Sequence, residues 1–262
     1  MIKRLSYYRK VLQWKQKHKL PEQDITIETE NGLLSCSNKD WLIGKHLFIY
    51  KNYEIDFIEN AVRLLQNEGL LNEGINDTIV DVGANIGMIC IALLKKGFFK
   101  KALAFEPSPN SFRLLQKNVL QNNFEEKVRC FKYALSSENK LMKLELANGN
   151  SGDNRIKFSD EKGKMNEQKR KTVEIETKTF DTIFKERQDF KANEIDLLWL
   201  DIQGHEGHFF KGAKDFFSRR KIPCISEFWG YGIKRAGMTE EEYCQIIGQT
   251  FTKFYHYAEG SF

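Results

Sequence analysis

The residue types best suited to chemistry sit together in one short segment, Val80-Asp81-Val82-Gly83-Ala84-Asn85-Ile86-Gly87, at a strand-to-helix junction. Gly83 and Gly87 allow a tight turn and a close approach of backbone to ligand. A helix starting beyond them would offer free N–H groups to a carboxylate or phosphate. Asp81, at the end of the strand, can accept a hydrogen bond from an ammonium group. A ligand with both an amine and a carboxylate suits this pair of features. A pyrophosphate-binding turn would read G-x-G-x-x-G, but here Asn85 stands where the second glycine belongs and an acid precedes the first.

A second feature, Phe105-Glu106-Pro107, comes nineteen residues after Gly87, at the end of the next strand. A carboxylate there can accept from both hydroxyls of a ribose. Ser108 and Pro109 then supply the N-cap and first-turn residues of a helix. Taken together, the acid-led glycine turn and the strand-ending Glu106 point to an adenosyl ligand.

These residues need a scaffold of strands and helices in alternation. Strand-like runs at 78–82, 101–106, 127–135, 194–201 and 222–228 alternate with helical patterns at 86–96, 109–121, 180–187 and 205–218. Strands apolar on both faces between amphipathic helices predict a doubly wound α/β fold with a mostly parallel sheet. A helix at 239–248 and a closing strand at 251–258 complete the pattern. An insertion at about 136–179 should hold two antiparallel strands, "LMKLEL" and "TVEIETK", and the polar run "SDEKGKMNEQKRK" is expected to be a mobile loop. Ahead of the alternation, residues 1–19 read as a helix stopped by Pro21. Residues 24–50 read as strands and 54–70 as a helix.

The motifs "VDVGANIG", "AFEPSPNSFRLLQKNV", "ALSS", "NSGDNRI" and "LLWLDIQGHEGHFFKGA" follow in order. In these the chain resembles the FkbM-type S-adenosylmethionine-dependent methyltransferases over about 75–228. The resemblance implies a class I fold with a seven-stranded sheet whose last strand is antiparallel. It also implies O-methylation of a hydroxyl on a sugar, glycan- or lipid-linked, or natural-product acceptor, with S-adenosylmethionine as the methyl donor. By the same resemblance Asp81, Gly83, Ala84, Asn85 and Gly87 would hold the methionine end, Glu106 the ribose, and Ala134 and Leu135 would lie near the adenine. Gln203 stands where many members carry Glu.

An alcohol is a poor nucleophile, so O-methylation benefits from a base beside the methyl group. Asp201 ends the fourth parallel strand and points into the ligand crevice. His205 and Glu206 follow it, and Glu227 closes the next strand. Asp201, His205 and Glu227 are thus the catalytic candidates, with Asp153 and Arg155 of "NSGDNRI" candidates for the acceptor pocket. "HEGH" lacks the H-E-x-x-H spacing, so no metal is expected. The aromatic residues Phe209, Phe210, Phe216 and Phe217 should be core.

The acceptor could instead be a nucleic acid, or the fold could serve only to bind. Base-amine methylation favours a Pro-Pro-aromatic turn after the fourth strand. This chain has Asp201-Ile202-Gln203-Gly204 there, and no nucleic-acid partner is expected. A nicotinamide oxidoreductase would need the glycine fingerprint that is absent. Charge bears on the same question. Of 41 Lys+Arg, seven lie in the first twenty residues with no Asp or Glu, leaving 34 against 36 in the body. The basic balance therefore belongs to a leader, residues 1–20, within an N-terminal extension of a helix and short strands (1–50), ahead of the expected methyltransferase domain at 51–262. Met1, Leu5, Tyr8 and Leu12 form one apolar stripe on the leader helix. That stripe either rests on an anionic membrane surface or docks on the body or on a second subunit. Five scattered cysteines without a C-x-x-C pair suggest core thiols in a reducing, cytoplasmic compartment, possible membrane contact being peripheral to its inner face.

Overall fold

Trp14 anchors the first element. In the computed structural model, which describes residues 2–187 and 190–257 with side chains from Leu5 onward, α1 (Ile2–Lys19) lays Trp14 fully buried against Phe48, ring centres 5.5 Å apart. Lys10 Nζ donates to the Ile49 carbonyl at 2.7 Å on the same side. The stripe read from sequence faces the other way: Leu5, Tyr8 and Leu12 are 65, 52 and 60% exposed, and Met1 lies outside the described residues. Docking follows Tyr7, Val11 and Trp14 because a flat indole buries more apolar area than the leucines.

The hairpin β1 (Asp24–Glu28) and β2 (Leu33–Ser37) follows. Residues 43–50, expected as strand, instead form α2 (Ile43–Tyr50). Asp40 Oδ1 accepts from the N–H groups of Leu42 and Gly44 at 3.0 and 3.1 Å, which gives the helix its start. Ile43 and Leu47, one turn apart, then face the core. β-branched and aromatic residues favoured a strand, but capping and burial outweighed them. α3 (Ile55–Asn67) comes next, burying Ile55, Ile58, Ala61, Val62 and Leu65.

The alternation then builds the sheet: β3 (Asn76–Val82), α4 (Met88–Lys95), β4 (Phe99–Phe105), α5 (Pro109–Gln121) and β5 (Val128–Phe131). The expected strand at 127–135 divides. β5 pairs with β4, whereas β6 (Ala134–Leu135) leaves for a second sheet. That sheet takes in the insertion as β7 (Lys140–Leu146), β8 (Arg155–Ile156) and β9 (Lys171–Lys178), in the order β6-β9-β7-β8. β7 and β9 are antiparallel, as their sequences suggest. The run at 159–171, expected as a mobile loop, contains a 3-10 turn at Glu167–Lys169. Glu167 is buried there because it is a counter-ion to Arg155.

After α6 (Phe180–Glu186), β10 (Ile195–Leu200) returns to the main sheet. The helix expected over 205–218 is two, α7 (Glu206–Lys211) and α8 (Lys214–Arg219). α7 closes at Gly212, and α8 has its own start, where Asp181 accepts from the N–H groups of Asp215 and Phe216. β11 (Cys224–Ser226), α9 (Gly230–Arg235) and α10 (Glu240–Thr250) complete the elements. α9 had no sequence signal.

The main sheet has the order β11-β10-β3-β4-β5, all parallel. The seven strands with an antiparallel last one are not seen; five are present among the described residues. Residues 251–257 form no strand, and residue 258 of that expectation lies outside the described residues. Side chains hold the segment instead: Phe251 packs on Phe210 and Phe217, Lys253 pairs with Glu68 and Tyr257 lies on Phe57. Among the described residues β11 is consequently paired with β10 alone. One core, on the α3–α4–α5 face, also takes in Trp14, Ile27, Leu34, Ile43 and Leu47. The other, on the α6–α8 face, contains Phe209, Phe210 and Phe216, with Phe217 packed against it.

Candidate active site

Register brings the functional residues together. Val82 lies opposite both Phe105 and Leu200, and Leu200 lies opposite Ser226. Gly83, Glu106, Asp201 and Glu227 are each the next residue along, so all four come to the carboxyl edge of the sheet, where parallel folds bind ligands. A cavity of about 1110 Å³ opens there. Asp81, Gly83, Ala84, Asn85, Glu106, Ala134, Leu135, Arg155, Asp201, His205 and Glu227 line it; Gly87 and Asp153 do not.

The first turn differs physically from the simplest reading of its glycines. A Cβ on Gly83, whose φ is 83°, would lie 2.0 Å from the Asp201 carbonyl oxygen. One on Gly87 would meet Ile91 and Leu115 at 2.9 Å. These glycines let strand ends and helices close on one another, rather than clearing room for a ligand. Asp81 is buried, and its Oδ2 accepts from the Cys90 N–H at 3.1 Å, capping the first turn of α4. Burial pushes its carboxyl up to about 7.

Glu106 Oε2 accepts from the Asn85 N–H at 2.9 Å and Oε1 from the Ser108 N–H at 2.7 Å. Each oxygen keeps a lone pair for another donor. Burial raises this carboxyl to about 7 as well, against the pull of those two N–H groups. Asn85 holds a left-handed φ of 50°, and its Oδ1 is buried with no partner among the described residues.

His205 belongs to another part of the cavity from Asp201 and Glu227. It lies with Ala134 and Leu135, its Nε2 2.9 Å from Ser136 Oγ, stacked on His208 at 4.5 Å. Burial holds its pKa well below the ordinary histidine value, so the ring is neutral. His208 Nε2 donates to the Ala236 carbonyl at 2.9 Å. Among the described residues no three His, Cys, Asp or Glu side chains are grouped to hold a metal.

The opposite part is acidic. Gln203, at a left-handed φ of 58°, donates through Nε2 to Asp201 Oδ1 at 2.7 Å and to Glu227 Oε2 at 3.4 Å. Glu227 is raised to about 7 by burial and then by Asp201 and Glu54. Asp201 is also raised by burial, against its hydrogen bond from Gln203. Its side chain is exposed, but to the water in the cavity, so the full shift requires that water to be displaced. Glu54, at a left-handed φ of 51° at the head of α3, faces the same space; burial raises its pKa and Asp201 raises it further. Glu54 belongs to no motif, so sequence offered no signal for it.

Glu206 fixes the loop between β10 and α7. It is fully buried, and its Oε1 accepts from the N–H groups of Ile202 and Gly204 at 3.1 and 3.4 Å. Arg155 approaches from the insertion, its guanidinium 4.7 Å from the Trp229 ring and paired with Asp153 and Glu167. Asp153 stands behind it, shared with Arg170. The adjoining 150–152 segment is tied to the leader: Asp40 Oδ2 accepts from Ser151 N and Oγ at 3.0 and 2.6 Å. Asp40, the cap of α2, thus also fixes one wall of the cavity, a role that sequence spacing did not suggest.

Comparison with known proteins gives a consistent result. Residues 81–252 match the family model of the methyltransferase FkbM domain. A protein of Sordaria araneosa named methyltransferase sdnD is 28% identical over 188 residues, covering 64% of this chain and 69% of that protein. The 2-O-methyltransferase NoeI of Sinorhizobium fredii is 26% identical over 152 residues, covering 55% of this chain and 60% of NoeI. A crystal structure of methyltransferase FkbM from Methylobacillus flagellatus KT aligns at 17% identity with a TM-score of 0.43, over 77% of this chain and 46% of that one. The chain spans less than half of that solved protein and about two thirds of its curated relatives.

Proposed function

Since the chain belongs to the FkbM methyltransferase family, we propose that it is an S-adenosylmethionine-dependent O-methyltransferase, its acceptor a hydroxyl of a sugar, a glycan- or lipid-linked molecule or a natural product. The observation that carries this reading is the placement of Asp201 and Glu227, joined through the Gln203 amide, in the same cavity as Glu106 and the Gly83–Asn85 turn. The relative named a 2-O-methyltransferase supports transfer to oxygen.

The residues present fit the methyl donor. Glu106 has an unused lone pair on each oxygen for the ribose hydroxyls, and the unpartnered Asn85 Oδ1 offers an acceptor to an ammonium group. Ala134, Leu135 and Pro107 provide apolar wall for a base. When bound, the sulfonium supplies a methyl group already activated for displacement. The protein must then align acceptor and methyl, a contribution of several kcal/mol, and take up the hydroxyl proton. Asp201 serves as that base. Once the acceptor displaces cavity water, desolvation raises its affinity for the proton. Glu227 and Arg155 hold the acceptor, one accepting hydrogen bonds and the other donating them. Five free thiols suit a reducing, cytoplasmic compartment. Among the described residues no helix is long and apolar enough to cross a membrane.

Calorimetric titration with S-adenosylmethionine tests the donor site. Glu106→Ala should weaken binding by about tenfold to a hundredfold through loss of charge-assisted hydrogen bonds. Unchanged affinity in both Glu106→Ala and Asp81→Ala would rule out the site. Acceptors can be sought in cell extract by mass spectrometry, as components gaining one methylene unit only when donor and enzyme are both added. Asp201→Asn should abolish that gain while leaving donor affinity intact; full turnover in this variant would rule out the proposed base.

A further inference from the structure

α1 has two apolar faces, and only one is used. Tyr7, Val11 and Trp14 turn toward α2, while Leu5, Tyr8 and Leu12, at i, i+3 and i+7, lie on the opposite side. A docked surface helix normally carries polar residues there. Single exposed leucines need no explanation, but three large apolar side chains in register, each more than half exposed, do. Arg9, Lys15 and Lys19 are exposed around them, and residues 1–20 contain seven basic residues and no acidic one. At the far end of the helix His18 touches Trp41 at 5.0 Å, and Lys45 lies over the same ring at 4.7 Å. Trp41 and Leu42 are 39 and 54% exposed, and Leu42 lines the cavity. The C-terminal end of α1 therefore lies beside Trp41, next to a residue that lines the cavity.

We propose that this outward face of α1 rests on an anionic lipid surface, with Leu5, Tyr8 and Leu12 at the acyl boundary and the basic side chains among the headgroups. Charge decides among the occupants. A second copy packed face to face would set one set of cations against the other, which is repulsive. A nucleic acid would engage the cations but leave both leucines in water. An anionic bilayer satisfies both classes of residue, the apolar side chains at the acyl boundary and the cations among the headgroups. The inference is independent of the methyl-transfer reading, because none of these side chains takes part in the proposed donor site.

Co-sedimentation of the full chain with phosphatidylcholine vesicles, with and without phosphatidylglycerol, tests it. The parent should pellet only with the anionic vesicles, and less so at high salt. Arg9→Gln/Lys15→Gln should weaken binding by about thirtyfold, two charges each contributing near the surface. Leu5→Ser/Leu12→Ser, which keeps every charge, should weaken it by about tenfold or more. Both variants should melt with the parent, since the replaced side chains are exposed. The proposal is overturned if the parent remains in the supernatant with anionic vesicles at low salt. It is also overturned if the leucine variant binds as tightly as the parent, which would show that charge alone drives the association and that Leu5, Tyr8 and Leu12 do not enter the bilayer.

Discussion

Replacing Glu206 with Gln keeps the shape of the side chain and removes its titration. Oε1 holds the Ile202 and Gly204 N–H groups, a task that the amide oxygen of Gln performs equally well, while Oε2 is buried without a partner among the described residues. Burial, the largest influence, raises this carboxyl from 4.5 to about 8, with Asp201 and Glu227 adding to the rise. The group is therefore neutral in the folded protein over a range in which the unfolded chain has already released its proton. A folded pKa above the unfolded one makes the stabilisation fully present below about pH 4.5 and progressively lost as pH rises through about 8. The shift corresponds to about 5 kcal/mol lost over that window. Glu206→Gln should match the parent within about 1 kcal/mol at the acid end and exceed it by about 5 kcal/mol at the alkaline end. Urea unfolding of both proteins across the range measures the difference directly. Glu206→Ala, which strands two N–H groups, should be destabilised throughout. A difference between parent and Gln variant that stays flat with pH would refute the neutral buried carboxyl.

Gly83→Ala should cost more than about 2 kcal/mol, because the new methyl would lie 2.0 Å from the Asp201 carbonyl at a φ of 83°. A large drop in urea midpoint is the expected readout, and a parent-like midpoint would show that the two strand ends can separate. Trp14→Ala should cost about 3–5 kcal/mol, or less if α1 simply detaches. Limited proteolysis distinguishes these, since a detached α1 is cleaved within residues 5–20 while the rest stays folded.

The sheet was legible where strands are buried on both faces. The runs ending at Val82, Phe105 and Leu200 are buried over their last four residues and apolar there except for Asp81, and parallel pairing puts the residues after them at one edge. Glu106, Asp201 and Glu227 could be located for that reason, and Asp81 by the glycine turn that follows it. Elsewhere local pattern and tertiary context diverged. "LIGKHLFIY" has strand-like composition, but Asp40, three residues before Ile43, caps it into a helix. The stripe of α1 was found by period alone, which cannot say which of two apolar faces is docked. Arg155 and Glu167, twelve residues apart across a polar run, pair only because the insertion folds back on itself. Glu54 reaches the cavity from the head of α3 by tertiary placement, and no spacing rule relates it to Asp201.

Among the described residues β11 leaves one side of the main sheet open, and this bears on how the protein behaves at high concentration. An unpaired strand edge is a template on which another chain can add its own backbone, the usual first step toward aggregates. Here the liability is small by construction. β11 is three residues long, too short to register a foreign strand firmly, and Glu227 follows it directly, a carboxyl that a growing assembly would have to bury. Residues 251–257, held by Phe251, Lys253 and Tyr257, line the same cavity as β11 and stand as a strap on that side of the molecule. Loosening that strap, for instance by removing the Lys253–Glu68 pair, would give an otherwise folded enzyme a sticky edge. Colloidal stability is then governed by a segment that contributes nothing to the sheet itself.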